Sequence, residues 1–179
     1  MVAHYLLALC FDFGDTLVDE ATEIKDDLLV TLRAELIPGA DQVLHELKRR
    51  SYRLALVADG WPATYSNVLK QHDLYHLFDA FAISEHLGVQ KPDARMFVHA
   101  LDRFSIGRQD YGRTVMVGNN LERDIKGANR LGMLSVWLDW APRRPKVPAD
   151  PSEIPQYTIK MPLDLLPLVE RLEREHKPG

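Results

Sequence analysis

The sequence predicts an α/β protein with a doubly wound parallel sheet covered by helices on both faces. The main observation is that short apolar runs alternate along the chain with segments of helical periodicity. These runs are apolar at successive positions, which is typical of strands buried on both faces. The predicted strands span residues 5–11, 54–58, 80–83, 114–117 and 134–138, with a short extra strand at 157–159.

The segments between these runs predict the helices that cover the sheet. Apolar residues recur at helical spacing within residues 43–47, 96–104, 121–131 and 163–172. We expect right-handed crossovers between the strands, as in other repeated βα units. The whole chain, residues 1–179, is predicted to form one domain. Within it, residues 17–37 form a short insertion and residues 141–155 a proline-rich connection.

Composition and charge exclude several classes of protein. The chain has 179 residues, of which 46% are apolar and 27% charged, and its net charge of −4 is typical of a soluble globular domain. The short basic run at Arg143-Arg144 is typical of a solvated surface, so we expect no nucleic-acid partner. No apolar run approaches the ~18 residues of a membrane span, and no secretory signal is recognised. With Cys10 as the single cysteine, a cytoplasmic location is predicted.

Polar residues follow several predicted strands at the point where each strand ends. Because the carboxyl ends of parallel strands meet at one edge of a sheet, and open α/β sheets bind ligands there, we expect these residues to share a pocket. Glycine, aspartate and threonine are also common in ordinary turns, but polar signals from four elements are hard to assign to turn chemistry alone. The residues concerned are Asp12, Asp59, Lys91, Asn119 and Asp124.

The order and spacing of these residues resemble the haloacid dehalogenase superfamily, whose members are mostly phosphatases with a Rossmann-like fold. The resemblance runs through nearly the whole chain. The second motif of the superfamily, a strand that ends in Ser or Thr, is matched in place but not in type by Ala58. The other matching positions are Asp12 and Thr16 in the first motif, Lys91 before Pro92 in the third, and Gly118, Asp124 and Gly127-Ala128 in the fourth.

This resemblance implies a role for each polar residue. Asp12 would be the nucleophile, acting through an aspartyl-phosphate, and Lys91 would neutralise negative charge. The substrate phosphate would be bound by Asp59, Gly60 and Lys91. A magnesium ion, which prefers oxygen ligands, would be held by Asp12, the carbonyl of Gly14, Asn119 and Asp124.

Three positions depart from the superfamily pattern. Gly14 stands where a second carboxylate usually acts as general acid and base, Ala58 removes a hydroxyl, and Asn119 replaces a charged metal ligand, so weak magnesium binding is expected. Asp15 comes one residue too late to replace the missing carboxylate, and we expect it to adopt the left-handed conformation that glycine often supplies. Other candidates for the missing acid and base are Asp59 and His86.

Three functions are therefore compared. The favoured one is a magnesium-dependent phosphohydrolase with an open site, acting on a phosphorylated small molecule or macromolecule. The alternative is a catalytically impaired protein of the same fold with a binding or assembly role. A dehalogenase-like hydrolase is disfavoured because residues 17–37 have room for one or two short helices but not for a full lid. Exposed tryptophans near the site could form a partner surface in a homo-oligomer; these are Trp61, Trp137 and Trp140.

Overall fold

The computed structural model of the chain describes residues 4–176, so the two ends of the predicted 1–179 domain, residues 1–3 and 177–179, lie outside the described residues. The strands are β1 (Ala8–Phe11), β2 (Ile24–Lys25), β3 (Thr31–Arg33), β4 (Leu54–Ala58), β5 (Ala80–Ile83), β6 (Thr114–Gly118), β7 (Leu134–Leu138) and β8 (Tyr157–Ile159). The α-helices are α1 (Ala40–Arg49), α2 (Pro62–Gln71), α3 (Ser84–Leu87), α4 (Ala94–Asp102), α5 (Lys126–Leu131) and α6 (Leu165–Glu175). None of the helices within residues 4–176 combines the length and the apolar character that a membrane span requires.

Six strands form one parallel sheet in the order β5-β4-β1-β6-β7-β8. The chain builds the sheet outward from β1 on one side through β4 and β5, then returns to build the other side from β6. The carboxyl end of β1 therefore lies at the point where the strand order reverses, which is where doubly wound sheets bind ligands. This architecture confirms the predicted fold class.

The sheet buries both of its faces, as the continuous apolar runs predict. Leu9 and Phe11 of β1 belong to the core that β1 shares with α1, α2 and α6. Ala8 and Cys10, which alternate with them, belong to the opposite core beneath α4 and α5. Because successive side chains of a strand point to opposite faces, one apolar run supplies both cores.

Several boundaries differ from the sequence prediction. The first strand begins at Ala8 rather than at residue 5, because the backbone N–H groups of Tyr5 and Leu6 donate to the carboxylate of Glu173 instead of to a neighbouring strand. The helix predicted over residues 121–131 begins as a π-helical turn, Leu121–Ile125, and continues as α5. The last helix begins at Leu165, after a short 3₁₀ turn.

Residues 17–37 form a 3₁₀ turn, Glu20–Thr22, and an antiparallel hairpin of β2 and β3, rather than the one or two short helices that the segment could hold. The hairpin packs on α2, because Thr31 N donates to Thr64 Oγ1 at 3.0 Å and Asn67 Nδ2 donates to Thr31 O at 3.1 Å. Its tip carries Leu28 and Leu29, which are 76% and 71% exposed. The hairpin thus borders the carboxyl edge of the sheet as a small rim with an apolar tip.

Candidate active site

Asp12 lies directly after β1, and its backbone N–H donates to Val117 O of β6 at 2.9 Å. Its side chain is largely buried, with 14% of its surface exposed. One carboxylate oxygen, Oδ1, accepts a hydrogen bond from Lys91 Nζ at 2.6 Å, and the other accepts from Thr16 Oγ1 at 3.2 Å. The central strand thus presents an oriented carboxylate at the edge of the sheet.

Lys91 reaches this carboxylate from the segment between α3 and α4, and its side chain is buried. Its Nζ also donates to Val57 O at 2.9 Å and lies 2.7 Å from Asp124 Oδ1. Burial alone would lower the pKa of the ammonium, but the nearby carboxylates, chiefly Asp12 and then Asp124, raise the pKa above its ordinary value. The lysine therefore stays charged and bridges two carboxylates.

Asp124 completes this cluster from the π-helical turn that follows β6. Its Oδ2 accepts a hydrogen bond from Asn120 N at 2.9 Å. The absence of a side chain at Gly118 makes room for it, because a Cβ there would lie 2.3 Å from Asp124 Oδ2. Burial, and then repulsion from Asp12, raise the pKa of Asp124 above its ordinary value, against the opposing effect of Lys91.

The charges in this cluster leave room for a cation. Asp12 and Asp124 share one ammonium group, that of Lys91, so the three groups carry a surplus negative charge whenever Asp124 is ionised. Within residues 4–176, Asp124 Oδ1 is the only buried side-chain oxygen that accepts no hydrogen bond of regular geometry, despite its contact with Lys91. No group of three or more His, Cys, Asp or Glu side chains suited to a metal occurs in that part of the chain. Magnesium, which binds through one or two carboxylates with waters, fits such a sparse set of ligands.

Asn119 faces Gly14 across the same edge. Its Nδ2 donates to Gly14 O at 2.9 Å, and its own backbone carbonyl accepts a hydrogen bond from Trp137 Nε1 at 3.0 Å. The structure therefore brings two of the four predicted magnesium ligands, Gly14 and Asn119, into direct contact. In this arrangement the amide nitrogen, rather than the amide oxygen, is directed at the carbonyl.

Asp59 and Gly60 line the same pocket after β4. The carboxylate of Asp59 accepts a hydrogen bond from Lys91 N at 3.0 Å and lies 3.4 Å from Arg123, so it fixes the backbone of the lysine. The N–H of Gly60 donates to Ser84 Oγ at 2.9 Å, and that hydrogen bond would have to open before a phosphate could take its place. Their predicted role in phosphate binding stays a prediction.

Asp15 confirms the expected left-handed backbone, with φ of 53°. Its side chain is fully buried and forms ion pairs with Arg143 and Arg144. Arg143 is exposed, as expected of a solvated run, but both arginines also form ion pairs that the sequence did not predict. Together they tie the proline-rich connection of residues 141–155 to the loop that follows β1.

The pocket has a volume of about 220 Å³ and includes charged side chains that the sequence did not single out. The most notable is Glu20, at the start of the 3₁₀ turn, whose carboxylate contacts Arg144. Burial, and then the charge of Asp15, raise the pKa of Glu20, while Arg144 opposes that shift. Lys25, Arg123 and Arg144 supply positive charge around the same cavity.

The other candidates lie outside the cluster. His86 is exposed and belongs to a separate groove beside α2, away from Asp12. Of the three tryptophans, Trp61 stands on the rim of the pocket and is 47% exposed. Trp137 is buried and Trp140 is partly buried. Of the three tryptophans, only Trp61 therefore offers an exposed aromatic side chain near the site.

The sequence of the chain matches a known protein family. The sequence profile of the haloacid dehalogenase-like hydrolases matches residues 10–132, which include Asp12, Lys91, Asn119 and Asp124. The chain belongs to the haloacid dehalogenase-like hydrolases. The resemblance seen in the sequence motifs is thereby confirmed at the level of the family.

Several proteins of named activity are similar to the chain in sequence. It is 29% identical over 138 residues to a glyceraldehyde 3-phosphate phosphatase of Methanopyrus kandleri, covering 77% of this chain and 58% of that protein. It is 35% identical over 127 residues to a phosphoserine phosphatase of Thermus thermophilus, covering 71% of this chain and 48% of that protein. The chain thus spans about half the length of these relatives.

Solved structures support the fold. A haloacid dehalogenase-like phosphatase of Thermococcus onnurineus superposes with a TM-score of 0.74 at 18% identity, covering 92% of this chain and 98% of that one. At such low identity the likeness concerns the fold. It agrees with the six-stranded parallel sheet described above.

Proposed function

We propose that this haloacid dehalogenase-like chain is a magnesium-dependent phosphohydrolase that acts on a phosphorylated small molecule or macromolecule. The observation that carries the proposal is the 2.6 Å contact between Lys91 Nζ and Asp12 Oδ1 at the carboxyl end of the central strand. A carboxylate is ionised at neutral pH and can attack phosphorus without activation by a base. The relatives named as phosphatases support the same chemistry.

Asp12 would form a bond from a carboxylate oxygen to phosphorus, and the leaving-group oxygen would depart from the opposite side. Two negative groups must approach each other in this step, so fixed positive charge lowers the barrier. Lys91 supplies that charge, since its pKa is raised and its position is fixed by Val57 O and Asp59. Thr16 orients the second oxygen of the nucleophile.

The ligands for magnesium would be Asp12, Asp124, the carbonyl of Gly14 and the amide of Asn119. The sharing of one ammonium group by two carboxylates supports this assignment, because Lys91 balances only one of their charges when both are ionised. When bound, the cation would neutralise charge on the phosphoryl group and on the attacking carboxylate. Asn119 would bind it more weakly than an aspartate, because an amide brings no negative charge.

The substrate would be small, or would present a small phosphorylated group. A cavity of about 220 Å³ is below the range of about 300–1,000 Å³ typical of drug-sized ligands. The rim is a short hairpin rather than a separate domain, so the opening leaves room for a phosphorylated side chain of a larger molecule. Lys25, Arg123 and Arg144 also line the cavity, each paired with a carboxylate, so they would bind a phosphate by exchanging those partners.

Phosphate release from para-nitrophenyl phosphate, with magnesium or with a chelator, tests the proposal. Wild type should release phosphate only with magnesium, and Asp12→Asn should reduce the rate at least 100-fold, consistent with loss of a nucleophile. Asp102→Asn is a matched control, because Asp102 is exposed at the end of α4. Full activity of Asp12→Asn would exclude Asp12 as the nucleophile.

The second candidate is a binding protein that retains the fold without useful turnover. It is favoured by the three departures from the superfamily motifs, at Gly14, Ala58 and Asn119. It is also favoured by the hydrogen bond from Asn119 to Gly14 O, because that carbonyl is one of the proposed magnesium ligands. A wild type that binds orthovanadate, a phosphate analogue, with magnesium and yet turns over no phosphate ester would support this candidate against the first.

A further inference from the structure

The space above Gly14 is occupied by another acidic residue. A Cβ built on Gly14 would lie 2.0 Å from Glu20 Oε1, and 2.7 Å from the carboxyl carbon of the same side chain. The Glu20 carboxyl group therefore occupies the place where a side chain of residue 14 would begin. The sequence separates the two by six positions, but the loop after β1 brings them together.

We propose that Glu20 is the general acid and base of this site and supplies the carboxyl group that Gly14 lacks. This role rests on the proposed phosphohydrolase function. Glu20 lines the same pocket as Asp12 and Lys91, so its side chain borders the cavity that the substrate would occupy. What assigns the role is the position of the carboxyl group over Gly14.

Glu20 is held in this position by Asp15 and Arg144. Asp15 Oδ1 accepts a hydrogen bond from Glu20 N at 3.3 Å, and Arg144 Nε donates to Asp15 Oδ2 at 3.0 Å. The same guanidinium contacts Glu20 Oε2. The other oxygen, Oε1, is the one that lies over Gly14, and it accepts no hydrogen bond from the residues that the structure describes. One oxygen is thus fixed and the other is available to a substrate.

The alternative acids and bases are engaged elsewhere. Asp15 is fully buried beneath Arg143 and Arg144, and both oxygens of Asp59 contact Lys91 or Arg123. His86 lies outside the pocket. Among the four candidates, Glu20 alone combines a place in the pocket with an oxygen that faces Gly14.

The proton balance of the reaction is simple. As Asp12 bonds to phosphorus and the phosphorus–oxygen bond of the substrate breaks, protonated Glu20 gives its proton to the leaving oxygen and becomes a carboxylate. That carboxylate then takes a proton from water, whose oxygen bonds to phosphorus as the bond to Asp12 breaks. Inorganic phosphate and protonated Glu20 result.

Leaving-group dependence tests this role. General acid catalysis is worth about 10²–10⁴-fold, but an aryl oxygen leaves with little need for a proton, whereas an alkyl oxygen requires one. Glu20→Gln should lower kcat/KM at least 100-fold for glycerol phosphate and less than about 10-fold for para-nitrophenyl phosphate. Glu35→Gln, an exposed glutamate in the same segment, is the control and should leave both values unchanged.

A double variant guards against a merely structural effect. Gly14 has no left-handed backbone conformation, and the three atoms nearest to a Cβ built there all belong to the side chain of Glu20, so Glu20→Ala makes room for a side chain at residue 14. Glu20→Ala should lose activity on glycerol phosphate. Adding Gly14→Asp should raise the activity of that variant at least 10-fold, because it returns a carboxylate to the same place. Circular dichroism of each variant checks its folding.

The outcomes separate the two proposals. If wild type shows no magnesium-dependent hydrolysis of para-nitrophenyl phosphate, the phosphohydrolase proposal fails, and the role of Glu20 fails with it. If wild type is active and Glu20→Gln lowers kcat/KM equally for both substrates, or for neither, only the role of Glu20 is overturned. Absence of rescue in a folded Gly14→Asp, Glu20→Ala variant would overturn it as well.

Discussion

Lys91 Nζ lies 2.6 Å from Asp12 Oδ1, although 79 residues separate the two in the chain. The contact forms because both residues reach the same carboxyl edge of the sheet, Asp12 from β1 and Lys91 from the segment after α3. Asp124 joins them at 2.7 Å from the same ammonium. The three side chains form one buried electrostatic unit, so a change in one should affect the stability of the fold as well as its chemistry.

Removal of the lysine charge should therefore destabilise the protein. Lys91→Met leaves Asp12 and Asp124 facing each other without a cation, and breaking a buried ion pair costs about 3–5 kcal/mol. We expect a loss of about that size in the free energy of unfolding, measured by urea denaturation. Adding Asp124→Asn should recover part of it by removing the surplus charge. If Lys91→Met unfolds at the same urea concentration as wild type, the ammonium is not paired as described.

The contact between Asn119 and Gly14 gives a metal-dependent prediction. Asn119→Asp replaces a donor with a carboxylate that faces the Gly14 carbonyl, so without metal the variant should be less stable than wild type. Magnesium should reverse this loss of stability, because the cation attracts the new carboxylate. Two unit charges about 4 Å apart attract each other by up to about 4 kcal/mol, and the solvation of the carboxylate offsets much of that attraction. Calorimetry should show at least 10-fold tighter magnesium binding. Unchanged affinity would mean that residue 119 does not face the cation.

Cys10 should be chemically inert in the folded protein. It is fully buried in the core beneath α4 and α5, and burial raises the pKa of its thiol to about 12. Because the thiolate is the reactive form, we expect no reaction with a thiol reagent such as dithionitrobenzoate in the native state. In denaturant, the single thiol should react completely. Rapid labelling of native protein would show that this core opens far more readily than its packing indicates.

The exposed tip of the hairpin predicts self-association. Leu28, Leu29 and Trp61 are large, apolar and exposed, and the last two line the pocket; exposed apolar patches mark interaction surfaces. We expect analytical ultracentrifugation to show concentration-dependent oligomers, and Leu28→Ser with Leu29→Ser to shift them toward monomer. A wild type that remains monomeric at every concentration would contradict the expectation of a homo-oligomer.

The fold and the convergence of the central cluster could be predicted from the sequence because both depend on local signals. Apolar runs mark strands, and a polar residue at the end of a parallel strand falls on a known edge of the sheet. That reasoning located Asp12, Lys91 and Asp124, which the structure brings into contact. The left-handed conformation of Asp15 was predicted separately, because aspartate tolerates that region of backbone conformation.

The surroundings of the cluster could not be predicted in the same way. Glu20 and Arg144 lie outside the regular strands and α-helices. In such segments the spacing of residues along the chain does not predict where their side chains point. Their meeting depends on Asp15, which is buried and binds the arginine that contacts Glu20. The one available signal was the missing carboxylate at Gly14, which indicated that a substitute was needed but not where it would come from.

The central claim is that Asp12 attacks phosphorus, and an acid quench during turnover of a radiolabelled aryl phosphate tests it most directly. Wild type with magnesium should carry label on the protein, in an acyl phosphate that hydroxylamine releases, and peptide mapping should place it on Asp12. Asp12→Asn should carry no label. Phosphate release by wild type without any labelled protein, or label on a peptide that lacks Asp12, would contradict the claim.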